Sequence, residues 1–397
     1  MNYNESLKYI HSTDVFGSKP GLERISILME KLDSPHKKLK AIHVAGTNGK
    51  GSTCTMIASG LIKSGKKVGL YLSPYVVDFR ERIQINGEYI PKETFARLLT
   101  KVKDVADNMA DHPTEFELIT AVMFLYFAEE KVDYAVIEVG LGGRFDATNI
   151  VNPVLTAITK ISLDHTAILG DSIEKIAHEK AGIIKNGVPV VMAKSQNQSA
   201  KTVIEEVASN NNAPVFYAKQ EKFDLSLAGC YQQENAAIAN LVLKKLGISR
   251  QNILSGLKSA YIPARLERLS DNPLVFVDGA HNPDGVLALA AFINNMNPVI
   301  IFGMMKDKDV PFAIKNLAPK AKAFISVTVK SNKRSENAKN IYNIAKKHTD
   351  AYAANDYDDA LDLAASLCGE NPVIICGSLY LASDIRELAK KRFNKTT

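Results

Sequence analysis

With 397 residues, 46% hydrophobic and 23% charged, the chain has the make-up of an ordinary globular protein, long enough for two domains. Its net charge of +6 suits anionic small molecules such as nucleotides or polycarboxylates, and no basic stripe interleaved with aromatics marks a nucleic-acid surface. No apolar run approaches the roughly 20 residues of a membrane span, and Met1 to Glu5 carry neither the basic flank nor the apolar stretch of a secretory signal. The four cysteines, Cys54, Cys230, Cys368 and Cys376, lie too far apart to pair as metal ligands, so buried thiols in a cytoplasmic protein are expected.

In chain order, residues 4–11 and 21–32 read as amphipathic helices. Leu22, Ile25, Leu28 and Met29 lie on one face of the second, and the loop 16–21 between them is a candidate ligand border. Ala41 to Ala45 reads as a buried strand running into Gly46-Thr47-Asn48-Gly49-Lys50-Gly51-Ser52-Thr53. A helical pattern follows, with Cys54, Ile57, Ala58 and Leu61 on one face. Strand, glycine turn and helix start together make a phosphate cradle. Glycines let backbone N–H groups approach the oxygens, and Lys50 reaches the terminal phosphates. The general pattern is broken at two positions, where Val44 replaces a glycine and Gly51 replaces a hydroxyl residue, so an ordinary glycine turn is the competing reading.

Residues 68–72 form a second buried strand that delivers Ser73 to the sheet edge where ligands bind in open α/β folds. Ser73 is there either a metal ligand or a plain turn serine. A helix is expected over 91–110. Thr114-Glu115-Phe116-Glu117 opens another, and reads both as a capping box and as an aromatic between carboxylates suited to a flat heterocycle. Tyr134 to Val139 is the clearest buried strand. It carries Glu138 near its end, and a carboxylate there needs a partner: Mg²⁺, as for a Walker B acid, or Arg144.

The strand 154–158 leads to Asp164 and His165, a second metal candidate. Asp171 and Glu174 have capping-box spacing at the start of a helix carrying Lys180 and ending at Gly182. A strand at 188–192, a helix at 198–209 and a helix opened by residues 230–235 follow. Asn235 near the start of the last is a base or ribose contact, or simply an N-cap. Composition changes near Tyr261 to Arg268, which puts the domain boundary between 262 and 263. Beyond it, strands at 274–277, 298–303, 322–328 and 372–376 alternate with helices near 284–295, 310–317, 336–347 and 357–368, a doubly wound α/β domain. The basic run Lys330 to Arg334 reads as a solvated loop.

These motifs in this order resemble the folylpolyglutamate synthase/dihydrofolate synthase family of the Mur-ligase superfamily. The resemblance rests on HVAGTNGKGST (43–53), YLSPYV (71–76), TEFE (114–117), EVGLGGRFDATN (138–149), LDHT (163–166), HEKAGI (178–183), YQQENAAIA (231–239), PARLE (263–267), DGAHNPDG (278–285) and CGSLYLAS (376–383). The irregular phosphate loop is the form this family uses. The resemblance implies a phosphate-loop Mur-ligase central domain over 1–262 and a Rossmann-like Mur-ligase domain over 263–397. It further implies ATP-dependent addition of L-glutamate to tetrahydrofolate, and to dihydropteroate in bifunctional members, through an acyl phosphate.

The residues carried over are these. Asn48, Gly49, Lys50, Gly51 and Ser52 hold the triphosphate, joined by Asn235, Arg265 and Asp278. Ser73, Glu138 and His165 ligate Mg²⁺. By the resemblance Lys180 matches a lysine that is carbamylated in similar enzymes, where the new carboxylate helps place a second cation, and a monovalent cation is a further cofactor candidate. Thr114, Phe116, Glu117, Arg144 and Asp146 form the folate neighbourhood. His281 and Ser378 meet the incoming glutamate. Lys50, Lys180 and His281 are the catalytic candidates, and domain closure is expected to keep water from the acyl phosphate. The protein is expected to act as a monomer on small molecules, with no nucleic acid or membrane partner. Two departures stand out: residues 219–230 are shorter than the family's usual stretch, which trims a surface hairpin, and the loop 16–21 hides its preference for dihydropteroate.

Two rivals remain. A peptidoglycan-type Mur ligase is disfavoured because only about 40 residues precede the phosphate loop, fewer than a UDP-binding domain needs. A phosphate-loop NTPase without an amide product is disfavoured by the motifs of the second domain.

Overall fold

The computed structural model describes residues 1–13 and 20–394. Most of the loop 16–21 singled out above lies outside that range. The chain divides into two units, one of residues 1–226 and 233–260, the other of residues 227–232 and 261–397. The second unit therefore takes the chain from Tyr261 onward together with the six-residue segment 227–232, which ends on the first residue of the helix Gln232–Lys245.

The first unit is built on eight strands: β1 (Ala41–Ala45), β2 (Val68–Tyr71), β3 (Ile83–Ile85), β4 (Glu88–Tyr89), β5 (Tyr134–Glu138), β6 (Leu155–Ile158), β7 (Val190–Ala193) and β8 (Val215–Ala218). Their order is β4-β3-β2-β5-β1-β6-β7-β8. All pairings are parallel except those of the β3–β4 hairpin. Every residue of β1 is buried, as befits a central strand with helices over both faces. Its register sets Val44 beside Glu138 of β5 and Ala45 beside Ile158 of β6. The carboxyl ends of β1, β2, β5 and β6 thus form one edge.

On one face, the helices Tyr3–Ser12, Glu23–Lys31, Lys92–Ala106 and Glu115–Glu129 contribute to a core with Phe95, Phe124 and Phe127 wholly buried. The helices Ile173–Ala181 and Gln198–Asn210 build a second core around Ile176, Met192 and Ile204. The helix Lys50–Lys63, which follows the glycine turn, meets the helix Arg250–Ser259 at two glycines. A Cβ on Gly256 would stand 2.4 Å from the Cα of Gly60, so the two backbones pack directly.

The second unit carries β9 (Glu267–Asp271), β10 (Leu274–Val277), β11 (Val299–Phe302), β12 (Ala323–Ser326), β13 (Ala351–Ala353) and β14 (Val373–Cys376) in the order β13-β12-β11-β14-β10-β9. It is parallel apart from β9, which is an antiparallel edge strand. The expected helices appear at Pro283–Phe292, Val310–Leu317, Ala338–Ala345 and Tyr357–Cys368, and a further one spans Leu379–Phe393. Lys330 to Arg334 lie outside helix and strand.

Some local expectations are corrected. The helix after Asp171 is capped by Ser172, whose hydroxyl accepts from the Lys175 N–H; Asp171 instead pairs with the Lys175 ammonium at 2.8 Å. The helix expected to reach residue 110 ends at Ala106, four residues sooner. Cys230 is exposed while the other three cysteines are buried. Asn235 lies within the first turn of its helix and so is not its N-cap. Among the described residues, no helix is long and apolar enough to cross a membrane.

Candidate active site

The glycine turn after β1 has the backbone its sequence calls for. Gly46 has φ +148 and Gly49 has φ +86, both in the region that side chains avoid. A Cβ on Gly46 would stand 1.8 Å from Thr159 Oγ1, and one on Gly49 would stand 2.1 Å from Asn235 Oδ1. Asn235, almost fully buried, therefore rests against the loop itself. The helix opens at Lys50 behind Gly49, an N-cap that supplies no side-chain hydrogen bond, and a helix start is where backbone N–H groups favour an anion. Lys50 Nζ donates to the Thr47 carbonyl at 3.1 Å, folded back over the cradle it would serve. Thr47 Oγ1 is tied to the carbonyl and N–H of Ser162 at 3.0 and 3.1 Å, which anchors the turn to the loop that carries His165.

Glu138 closes β5 as a buried carboxylate, and its Oε2 accepts the Ser73 N–H at 2.9 Å. Two of the three expected cation ligands are therefore adjacent. His165 is exposed, with φ +49, and its N–H donates to Asp164 Oδ1 at 2.9 Å. Arg144, the alternative partner for Glu138, stacks over the Phe145 ring at 4.3 Å and brings its Nε to 3.8 Å from Glu179. Among the described residues no cluster of three or more His, Cys, Asp or Glu side chains is arranged to hold a metal. That is compatible with Mg²⁺, a hard ion that keeps waters and takes one or two carboxylates plus substrate phosphates. A buried glutamate beside a serine is a fitting oxygen donor set for it.

Lys180 is nearly fully buried at the end of its helix, and its Nζ donates to the Gly46 carbonyl at 2.9 Å. Burial, reinforced by repulsion from Lys50, pushes its ammonium down to about 7, against the opposing pull of Asp164 and Asp146. A surface helix lysine, the ordinary expectation, is thus replaced by an amine that is substantially neutral near neutral pH. Gly143 is needed beside it, since a Cβ there would stand 3.0 Å from the Lys180 carbonyl oxygen.

Phe116 packs its ring over Gly140, where a Cβ would stand 2.5 Å from Cζ, and lies 6.1 Å from the Tyr71 ring centroid. Thr114 and Glu117 form the expected capping box. Glu117 Oε2 accepts from the Thr114 N–H and hydroxyl and from Arg24 Nε, at 2.8, 2.9 and 3.1 Å. Its other oxygen, Oε1, is buried with no hydrogen-bond partner among the described residues, an acceptor open to a ligand donor. Arg24 had no signal in the sequence because 93 residues separate it from Glu117.

Asp146 faces inward. Its oxygens accept from the N–H groups of Leu141 and Thr148 at 2.9 and 3.0 Å, and from the Thr148 hydroxyl. It therefore shapes the turn that presents Arg144. Below it, His43 of β1 meets Thr148 Oγ1 at 2.8 Å, and burial pushes the imidazole down to about 3, so it is neutral at physiological pH.

In the second unit, Asp278 follows β10 and is buried. It accepts the Leu266 and Ala280 N–H groups, both at 2.8 Å, and burial pushes its carboxyl upward against the pull of Arg265. Arg265 is half-buried beside it, and a Cβ on Gly279 would stand 3.0 Å from Arg265 Nη1. His281 Nδ1 lies 2.8 Å from the Gly279 carbonyl. Ser378 is buried and caps the helix Leu379–Phe393 through the Leu381 N–H at 3.0 Å. All four stand at the carboxyl ends of β10 and β14 or in the segment that leads into β9.

Residues 44–244 match the Mur ligase middle domain, and residues 264–379 match the glutamate ligase domain of Mur ligases. The chain is 39% identical over 428 aligned positions to the dihydrofolate synthase/folylpolyglutamate synthase of Bacillus subtilis (strain 168), covering 98% of this chain and 99% of that one. The chain belongs to the folylpolyglutamate synthase/dihydrofolate synthase family of Mur ligases. It is also 35% identical to the folylpolyglutamate synthase of Lacticaseibacillus casei, covering 98% of each chain. Its structure is similar to the folylpolyglutamate synthase of Mycobacterium tuberculosis complexed with ADP and AMPPCP, with a TM-score of 0.90, 28% identity and full coverage of both chains. Within this Mur-ligase family member, the glycine turn, Lys180, the Ser73–Glu138 pair and the Phe116–Gly140 contact occupy one edge of one sheet.

Proposed function

We propose that the protein is an ATP-dependent ligase that adds L-glutamate to the side-chain carboxylate of a folate, tetrahydrofolate first. The observation that carries this reading is the phosphate turn itself: an uncapped helix start behind two left-handed glycines, with Lys50 folded over it and Asn235 against it. The ADP complex of the mycobacterial relative supports the same nucleotide. In the first step a folate carboxylate oxygen attacks the γ-phosphorus of ATP and ADP leaves. In the second, the glutamate amine attacks the acyl carbon, phosphate departs with that oxygen, and the amine loses a proton.

The chain's own residues position and neutralise. The N–H groups of Asn48 to Ser52 cradle the triphosphate, and Lys50 meets the charge that gathers on the transferred group. Asn235, Arg265 and Asp278 are the proposed nucleotide contacts. Thr114, Phe116, Glu117 and the Arg144–Asp146 turn form the folate side, where the open Glu117 Oε1 accepts from a pterin N–H. His281 and Ser378 receive glutamate. Ser73, Glu138 and His165 would hold Mg²⁺, which supplies charge neutralisation between phosphates and carboxylate when bound. The lowered Lys180 amine adds to CO₂, forming an N–C bond and releasing a proton, to give a carbamate.

ADP release with ATP, Mg²⁺ and L-glutamate, compared between tetrahydrofolate and dihydropteroate with products identified by mass, tests the reading. Glutamate-dependent release with tetrahydrofolate supports it. Release that is unchanged without glutamate points to an NTPase and sinks it, and activity confined to a UDP-linked precursor points to a peptidoglycan ligase. A second acceptor, dihydropteroate, is favoured by the likeness to the Bacillus relative, whose name carries both activities.

A further inference from the structure

Arg265 stands between two residues with left-handed backbone, Ala264 at φ +53 and Leu266 at φ +46. Neither is glycine, and a side chain in this region is unfavourable. Two such residues in three persist only where their surroundings over-determine them.

Those surroundings are two buried carboxylates. Glu267 Oε2 accepts the Ala264 N–H at 3.1 Å, and Asp278 Oδ2 accepts the Leu266 N–H at 2.8 Å. The Ala264 carbonyl in turn accepts the Gly279 N–H at 2.9 Å. Glu267 is held from the far end of the chain. Arg386 Nε reaches its two oxygens at 3.1 and 2.9 Å, Arg386 Nη2 reaches Oε1 at 2.5 Å, and the Tyr261 hydroxyl donates to Oε1 at 2.7 Å. Both members of the ion pair are buried. We infer that the Glu267–Arg386 pair is a positioning device: it locks the backbone on the leading side of Arg265, as Asp278 does on the trailing side, and so fixes where the Arg265 guanidinium stands above Gly279.

A pair that merely stapled the helix Leu379–Phe393 to β9 would leave the left-handed residues unexplained. Glu267 does more, because it takes the N–H of the first of them. The inference rests on the assignment of Arg265 to the nucleotide, and it makes Glu267, Arg386 and Tyr261 positioning residues for ATP.

The test uses the full-length protein and measures ADP affinity by calorimetry, with KM for ATP and for folate. Glu267→Gln and Arg386→Met should each weaken ADP by about tenfold or more, near the loss in Arg265→Ala, with the folate KM within about twofold of wild type. Adding Ala264→Gly to Glu267→Gln should recover about threefold or more, because glycine adopts the left-handed backbone unaided; a merely structural ion pair would not be rescued this way. Tyr261→Phe keeps the charges paired and so protects the fold if the other variants fail to accumulate; it should lose about two- to fivefold. If Arg265→Ala weakens ADP while the variants at 267, 386 and 261 leave it unchanged, the positioning role is overturned and the nucleotide assignment stands. If Arg265→Ala itself leaves ADP binding unchanged, the assignment falls and the positioning role for ATP falls with it.

Discussion

Lys180 Nζ lies 2.9 Å from the carbonyl oxygen of Gly46, the first glycine of the phosphate turn. The contact joins the end of one helix to the end of β1 across 134 residues of sequence, in a buried place beside Lys50. Burial, and after it the charge of Lys50, disfavours a proton on Lys180 and holds its amine down to about 7.

A pH dependence of stability follows. The unfolded chain holds the Lys180 proton up to its ordinary value near 10.5, whereas the folded chain releases it near 7. Between those values the unfolded state binds more protons, so stability rises with pH, by at most about 1.4 kcal/mol per unit from this group. The penalty for burying the amine is fully present below 7. Denaturant titrations in CO₂-free buffer should show the rise in wild type and a loss of that increment in Lys180→Met. Parallel curves for the two proteins would remove Lys180 as its source.

Carbamylation gives a second readout at the same atom. ¹³C NMR in labelled bicarbonate should show one carbamate signal at pH 8, absent in Lys180→Ala, and that variant should lose most of its ligase activity. A folded Lys180→Ala of wild-type activity would contradict the role.

Lys50 is the one cationic side chain in the turn, and its proposed role is to meet the charge of phosphoryl transfer. Lys50→Ala should lower kcat by about a hundredfold or more, roughly 3 kcal/mol of transition-state stabilisation, while tetrahydrofolate binding stays near wild type. Steady-state kinetics beside folate titrations separate the two.

Gly49 and Gly87 share φ +86 but not their surroundings. A Cβ at Gly87 meets nothing within 4 Å, whereas at Gly49 it strikes Asn235. Gly87→Ala should cost about 1 kcal/mol of stability and leave kinetics alone. Gly49→Ala should raise the KM for ATP by about tenfold or more, because the turn and Asn235 must part. Equal kinetic effects at the two sites would show that backbone strain alone accounts for both.

Much of this was legible in the sequence, and the limits have physical causes. β5, β10, β11 and β14 are near-continuous apolar runs between turn residues, which is how buried parallel strands look, whereas the polar, antiparallel β9 carries no such run. The edge strands β4 and β13 are two and three residues long, too short for any period to show. Ser172 was hidden behind Asp171 because both are good N-caps and only backbone geometry chooses between them. The turn residues Lys50, Ser73 and Glu138 announce themselves at strand ends. Arg24 under Glu117 and Arg386 under Glu267 do not: each lies on a helix far along the chain, and an arginine there looks like any surface cation until the fold buries it.

In the proposed reaction a folate carboxylate oxygen passes to phosphate through an acyl phosphate. Tetrahydrofolate labelled with ¹⁸O in its side-chain carboxylate, turned over with ATP and L-glutamate, tests it directly by mass analysis of the released phosphate. One labelled oxygen is expected in each phosphate per amide formed. Unlabelled phosphate alongside amide product would contradict it.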